Sequence, residues 1–335
     1  MATVKDIARR AGVSPSTVSL ALNSTPENTR LAPHTYQKVW AAAEELNYRP
    51  SIAARRLRMG KNDKRRIGVV WPVEQAFSAI GEVLVYLDRL FEENSCSCII
   101  TVHPYQIEEL GTTVSRLNGE LLDGMLIFFP DNEDIRWLET HTVNAPYVVY
   151  GRQVEDRSYV RVENHEIGHL AARLLAGWKD KTIGVFTYEP ILRGGHRILS
   201  TLKDDLKDNG ITLRHYAVDR GPDMSSIAVS TEKMISEGLP DGIIYILGDQ
   251  ATLVSIYSLT GKGIRVPDDV QILHVGTFFE KLTLLMTPKL SAITCDSAGM
   301  LKECVSILCR HLAGDLTPQH QIYQPYYREG DTFRG

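Results

Sequence analysis

The sequence predicts a small all-α head joined through a basic tether to a larger α/β body of two lobes with parallel sheets. Three observations carry that expectation. Charge is divided unevenly along the 335 residues: positions 1–66 hold 13 Lys and Arg against 5 Asp and Glu, whereas the remainder holds 24 against 36. A head of net +8 ahead of a body of net −12 suits a basic end that meets a polyanion and an acidic body with another task. Apolar residues over the first 46 positions recur at helical spacing. From Arg66 onward, short β-rich runs alternate with helical segments, the pattern of parallel sheets covered by helices on both faces.

A composition of 43% hydrophobic and 23% charged residues is that of an ordinary globular protein and excludes disordered and fibrous classes. The stretch MATVKDIARR has no apolar signal core, and no apolar run approaches the ~18 residues that a membrane span needs. A cytoplasmic protein with no membrane partner is expected. The five cysteines, Cys96, Cys98, Cys295, Cys304 and Cys309, are odd in number, lack a CxxC pair and lie in apolar stretches. They are expected to be reduced and mostly buried.

Taking the head in order, Thr3 is placed to cap a helix whose apolar positions Val4, Ile7, Ala8 and Ala11 share a face, and Gly12 to end it. After a short turn, SPSTVSLALN opens with Ser14 as N-cap and Pro15 at the first helical position, where a missing N–H costs nothing. Val18, Ala21 and Leu22 form its inward stripe, which leaves Pro15, Ser16, Thr17, Ser19, Leu20 and Asn23 outside. That outer face is small and rich in hydroxyls, which suits a helix laid into a DNA major groove with its hydroxyls on phosphates. A third helix over about Pro33–Leu46 turns Val39, Ala42, Ala43 and Leu46 inward, completing a helix-turn-helix with its supporting helix. A three-helix module without a DNA role is the plainer alternative.

The tether RPSIAARRLRMGKNDKRR, residues 49–66, sets eight Lys or Arg against the single acid Asp63, yet Ala53, Ala54 and Leu57 share one helical face. It is too charged for a core helix and too patterned for an idle linker. The alternative is a solvated linker with an incidental leucine.

Together, VKDIARRAGVSPSTVSLALN and ELNYRPSIAARRL resemble the lactose-repressor family (LacI/GalR) of bacterial transcription regulators. The match runs over nearly the whole chain, and the head motif, the Tyr-x-Pro step and the Ala-Arg-x-Leu end occur in the family's order. The resemblance implies a DNA-binding head at 1–48, a hinge helix and linker at 49–65, and a two-lobed, type I periplasmic-binding-protein-like effector and dimerisation domain at 66–335. Lobe 1 would take about 66–160 and 297–318, and lobe 2 about 161–288 and 322–330, with three crossings between them.

The resemblance further implies a homodimer, or a tetramer, on double-stranded operator DNA. In the family the hinge helix folds on DNA, pairs with its partner and wedges a leucine, here Leu57, between base pairs in the minor groove. The physics agrees: a helix of about two turns from Ser51 to Arg58 is too short to be stable alone. It should order only against DNA and its partner helix. Ala53 and Ala54 permit close approach, while Arg55, Arg56 and Arg58 neutralise flanking phosphates. Thr3 and Val4, with the outer face of the second helix, complete the expected DNA-contacting set.

Two departures stand out in the head. Family members usually carry Arg where Leu20 stands, and Leu20 cannot read guanine through two hydrogen bonds, so apolar contact with thymine methyls is expected. The stretch NSTPENTRLAP, residues 23–33, is also longer than the family's loop.

In the body, IGVVW, CIITVH, GMLIFF and YVVYG supply one lobe, and TIGVFTY, LRHYAV, GIIYIL and QILHVG the other. A ligand is expected in the cleft at the carboxyl ends of these strands. Arg152 follows YVVYG there, with a surface ion pair as its alternative. By the resemblance, RGGHR, residues 193–197, supplies an arginine that clamps ligand hydroxyls or a carboxylate, Arg197 first and Arg193 second. Asp249 in GDQATL matches the acid of the family's Asn-Asp pair, whose Asn is replaced by Gly248; capping of the following helix is the equal alternative. VRVEN, residues 160–164, resembles the family's strand at the lobe crossover, and Asp296 matches an acid in the closing crossover.

In HVGTFFEK, residues 274–281, Phe278 or Phe279 replaces the acid that accepts hydrogen bonds from sugar hydroxyls in the family. Unmatched polar groups cost about 1–3 kcal/mol each. The expected effector therefore shifts from a neutral monosaccharide towards a sugar-derived molecule such as a glycoside, a purine-like one, or none.

There is no GxSxG, Walker loop or strand-linked GxGxxG. His165 and His169 share a helix face but have no third candidate ligand, so solvated or structural histidines are expected, with no metal and no cofactor. An enzyme would lack its nucleophile or metal; a solute-binding protein would leave the basic head without a purpose. The expected function is sequence-specific transcriptional regulation, in the sense of a repressor, from a bacterial cytoplasm and on the nucleoid when DNA-bound. An effector in the cleft would set DNA affinity by shifting the lobes.

Overall fold

Three helices make the head: α1 (Val4–Ala11), α2 (Pro15–Leu22) and α3 (Pro33–Glu45). The computed structural model describes residues 3–22, 29–46, 64–73, 77–120, 122–189, 191, 193–219, 225–276 and 287–334. Thr3 and Asp6 cap α1 reciprocally: the Asp6 N–H donates to Thr3 Oγ1 at 3.3 Å, and the Thr3 N–H to Asp6 Oδ2 at 2.9 Å. Gly12, at φ 64°, ends the helix in the left-handed region that glycine favours. At the start of α2, Ser14 Oγ accepts the Thr17 N–H at 3.1 Å. Ile7, Ala8, Val18, Ala21, Val39 and Ala42 close a small core, with Leu22 and Leu46 half-buried against it. Arg10 bridges to Glu45 at 2.7 Å on the outside.

The body runs β1 (Arg65–Pro72), α4 (Phe77–Glu93), β2 (Cys98–Tyr105), α5 (Leu110–Asn118), β3 (Gly124–Phe128), α6 (Asn132–Thr140), β4 (Tyr147–Tyr150) and β5 (Ser158–Val162). It continues through α7 (Asn164–Leu174), β6 (Thr182–Glu189), α8 (Arg193–Leu206), β7 (Thr212–Asp219), α9 (Ser225–Ser236), β8 (Gly242–Ile246), α10 (Asp249–Gly261) and β9 (Gln271–Val275). Last come β10 (Ala292–Thr294), α11 (Ser297–Ala313), β11 (His320–Tyr323) and β12 (Tyr326–Arg328).

These strands form two six-stranded sheets, ordered β11-β5-β4-β3-β1-β2 and β12-β10-β9-β8-β6-β7. Strand for strand, β1 to β5 and β6 to β10 repeat one arrangement, so the two lobes share a topology. The first sheet is parallel throughout, and in the second only the β10–β12 pairing is antiparallel. Helices cover both faces, which is why β3 and β4 are buried along their whole length and read as unbroken apolar runs.

The chain leaves the first lobe after β5, at Glu163, and returns after β10 to place α11 against β3, β4, β5 and α4. It leaves again between β11 and β12. The Glu163 N–H donates to the Tyr323 carbonyl at 3.0 Å, tying the first crossing to the last.

Three boundaries differ from expectation. Arg161 and Val162 belong to the first lobe rather than the second, because parallel pairing with β11 continues through Val162. Ile322 and Tyr323, expected in the second lobe, are those pairing partners and so belong to the first. The second lobe gains Ala292–Thr294, beyond the expected limit at 288.

His311 anchors the returning segment. Its Nε2 lies 2.8 Å from Ser158 Oγ on β5, and its Nδ1 lies 2.6 Å from the Asp315 carbonyl. A carbonyl only accepts, so Nδ1 carries a proton. All five cysteines are free, with Cys96, Cys295 and Cys304 buried. Among the described residues no helix is long and apolar enough to cross a membrane.

Candidate functional site

Two surfaces carry chemistry. The first is the outer face of α2, a helix without a charged residue. Pro15, Ser16 and Leu20 are exposed, Leu20 to 43%, and Thr17 and Ser19 are half-buried. Ser14 Oγ lies 2.7 Å from Ser16 Oγ and 2.8 Å from Thr17 Oγ1, so three hydroxyls gather at the helix start. Hydroxyls at a helix N-terminus suit phosphate oxygens. Thr3 is exposed, whereas Val4 packs against the head core. Asn23, Ala53, Ala54, Arg55, Leu57 and Arg58 lie outside the described residues.

The second is a cavity of about 600 Å³ between the lobes. The first lobe supplies Asn132 and Arg136 from α6, Arg152 from the turn after β4, and Arg161 from the end of β5. Glu163 stands at the crossing itself, and the second lobe supplies Asn164, Gly194 and Arg197 from the starts of α7 and α8. These are the carboxyl ends of β4 and β5, where a parallel sheet presents its ligands.

Arg152, 16% exposed, is held in place from the α6 side. It donates to the Pro130 carbonyl and to Asn132 Oδ1, each at 3.0 Å, and lies 3.4 Å from Asp131 Oδ1. Arg136 pairs with Glu133. Arg161 Nη2 lies 2.9 Å from Glu163 Oε2, and His165 Nδ1 lies 2.8 Å from the other oxygen of the same carboxylate. Burial pushes the Glu163 carboxyl up, but the Arg161 and His165 contacts outweigh it and hold it below its ordinary 4.5. Arg161 Nε is buried with no hydrogen-bond partner among the described residues. Arg197 lines the cavity from an exposed position, and its guanidinium makes no hydrogen bond or ion pair among those residues.

Of the effector residues expected from the sequence, Arg152 and Arg197 therefore meet on one cavity. Asp249 and Asp296 are not on its wall. Asp249 Oδ1 accepts the Gln250 N–H at 2.7 Å, and Asp296 Oδ1 accepts the Gly299 N–H at 2.8 Å. Arg193 begins α8, but its side chain lies outside the description, as do Phe278 and Phe279. His169 Nδ1 lies 2.6 Å from Asp205 Oδ2, so both histidines of the α7 pair have carboxylate neighbours. Among the described residues no group of three or more His, Cys, Asp or Glu is arranged to hold a metal ion. Sequence reasoning missed Arg136, Arg161, Glu163 and Asn164. The signal was in VRVEN, where opposite charges close an otherwise apolar strand.

Residues 3–51 match the family described as bacterial regulatory proteins, lacI family, and residues 177–333 match the periplasmic binding protein-like domain. The HTH-type transcriptional repressor PurR of Proteus mirabilis is 30% identical over 308 residues, covering 86% of each chain. The ribose operon repressor of Haemophilus influenzae is 25% identical over 316 residues, covering 93% of this chain and 92% of its own. Among solved structures, the lac repressor dimer bound to operator and the anti-inducer ONPF matches with a TM-score of 0.66 at 21% identity, covering 99% of this chain and 98% of that one. That likeness extends the fold, a helical head before a two-lobed body, over the full length.

Proposed function

The chain belongs to the LacI family of bacterial regulatory proteins, and from that premise we propose how its parts divide the work of a DNA-binding transcriptional repressor. Two chains form a homodimer whose heads take the half-sites of a near-palindromic operator, each α2 in a major groove. The segment Ser51–Arg58 orders on the DNA, where Leu57 wedges into the minor groove and Arg55 and Arg58 sit on phosphates. A small molecule in the interlobe cavity prefers one lobe arrangement and so alters the spacing of the two hinge segments. The protein works in the cytoplasm, on the nucleoid when bound, and carries no catalytic activity of its own.

The observation that supports this most is the uncharged, hydroxyl-bearing outer face of α2, followed in the chain by a tether with eight basic residues. Genomic fragments selected by the purified protein, then tested by electrophoretic shift, examine it. Palindromic fragments should be enriched, and Leu57→Ala should weaken the shift about tenfold or more, since the wedge sustains the bend that brings further contacts. Binding that does not distinguish selected fragments from bulk DNA at about 150 mM salt would overturn the reading.

A further inference from the structure

Taking the interlobe cavity as the effector site, we propose that its ligand is a small anionic carbohydrate derivative whose acidic group bridges Arg161 of one lobe and Arg197 of the other. The proposal rests on that reading of the cavity and adds the chemical class. Carboxylate and phosphate share the relevant chemistry, several acceptor oxygens on one centre.

The wall is rich in donors. Four arginines, Arg136, Arg152, Arg161 and Arg197, line it with two glutamates, Glu139 and Glu163. Arginine offers five N–H donors and no acceptor. Arg136 and Arg152 are balanced by Glu133 and Asp131. Glu163 is engaged by Arg161 and His165, and Glu139 accepts the Glu155 N–H at 3.0 Å. Arg161 on the first lobe and Arg197 on the second each keep side-chain N–H donors without a partner among the described residues. Arg161 uses Nη2 on Glu163 and Nη1, at 3.4 Å, on the Val162 carbonyl, which leaves its buried Nε open among the described residues. Arg197 is free of partners among them.

A neutral polyol would bring more donors to such a wall. An acid brings acceptors alone, and its oxygens match the guanidinium fork. Ile135 is the one apolar side chain that the described residues place on the wall, and the polar groups around it suit a polar ligand. Because Arg161 closes β5 of the first lobe and Arg197 stands on α8 of the second, one acidic group held by both favours a particular lobe arrangement. That preference is what a ligand needs to move an equilibrium.

The full-length protein should be tested by calorimetry and thermal shift at fixed ionic strength against pairs that differ in the acid alone. The probes are D-glucuronate with D-glucose, D-gluconate with D-glucitol, and D-glucose 6-phosphate with D-glucose, together with inorganic phosphate. At least one acid should bind about tenfold or more tightly than its neutral partner. Carboxylate and phosphate members then identify the source. Arg197→Gln should reduce that preference to about twofold or less, while Arg173→Gln, an exposed arginine on α7 outside the cavity, keeps it. Equal binding of neutral partners, no binding of any acid, or a preference that survives Arg197→Gln overturns the proposal. The regulator reading has its own readout, operator binding measured with and without each probe. A chain that holds its operator but responds to a neutral sugar loses the anionic assignment alone.

Discussion

Arg161 Nη2 and Glu163 Oε2 stand 2.9 Å apart at the residue where the chain passes from the first lobe to the second. On the far side, His165 in the first turn of α7 approaches the other carboxylate oxygen at 2.8 Å. One carboxylate thus joins a strand of one lobe to a helix of the other, on the wall of the cavity. Burial raises its pKa, but Arg161 and His165 together hold it below the ordinary 4.5. A carboxylate depressed in the folded state contributes stability that is present above its unfolded pKa and lost as pH falls through the folded one. Glu163→Gln should therefore be less stable than wild type near neutrality, by about 1–3 kcal/mol. The two melting curves should converge as pH drops below 4.5. Parallel melting temperatures from pH 7 to the acid limit would show that Glu163 contributes nothing of this kind.

Close approach of α7 and α8 gives a second prediction. A Cβ on Gly168 would lie 2.7 Å from Thr201 Cβ and 2.8 Å from the Ile198 carbonyl oxygen, so the helices must separate to admit it. Alanine's helix propensity favours the substitution by up to about 1 kcal/mol. Overpacking of a rigid backbone contact exceeds that, and Gly168→Ala should cost a net of about 1–3 kcal/mol in thermal unfolding. Both helices begin on the cavity wall, at Asn164 and near Arg197, so ligand affinity should fall with stability. A Gly168→Ala variant as stable as wild type would mean that the two helices are free to adjust.

The head and most strands were legible because their signals are local. Apolar spacing located Val18 and Ala21 inside α2, and four-residue apolar runs such as YVVY are what a strand buried on both faces requires. β11 gave no such signal: HQIY is largely exposed and joins the first sheet through long-range pairing with β5. The cavity was only half legible for the same reason. Arg152 and Arg197 follow positions that a strand end or a helix start marks, whereas the roles of Arg136 and Arg161 depend on three separate segments converging. Asp296 shows local chemistry at work, since its side chain accepts the Gly299 N–H and caps the start of α11.

The tether makes a quantitative prediction through salt. If Arg55 rests on a phosphate, Arg55→Gln should flatten the slope of log affinity against log salt concentration by about one unit, whatever the operator sequence. A slope that does not change would remove Arg55 from the backbone-contacting set. A change confined to one sequence would make it a base-reading residue instead.

His311 tests how the last crossing is held. Its ring joins α11 to Ser158 of β5 and to the Asp315 carbonyl, while Ser158 Oγ also accepts the Gln319 N–H at 3.0 Å, one residue before β11. Removing the ring leaves two buried or half-buried polar groups without their partner, so His311→Leu should cost about 1–3 kcal/mol even though its volume is largely kept. Ser158→Ala breaks the same network from the other end. The double variant should then cost less than the sum of the singles, with a coupling of about 0.5–3 kcal/mol. The loss should also be local: β11 pairs with β5 and its Tyr323 carbonyl receives the Glu163 N–H, so amides of residues 320–323 should exchange faster while those of β8 and β9 keep their protection. Additive singles with uniform exchange would mean that the return segment is held by its strand pairing alone.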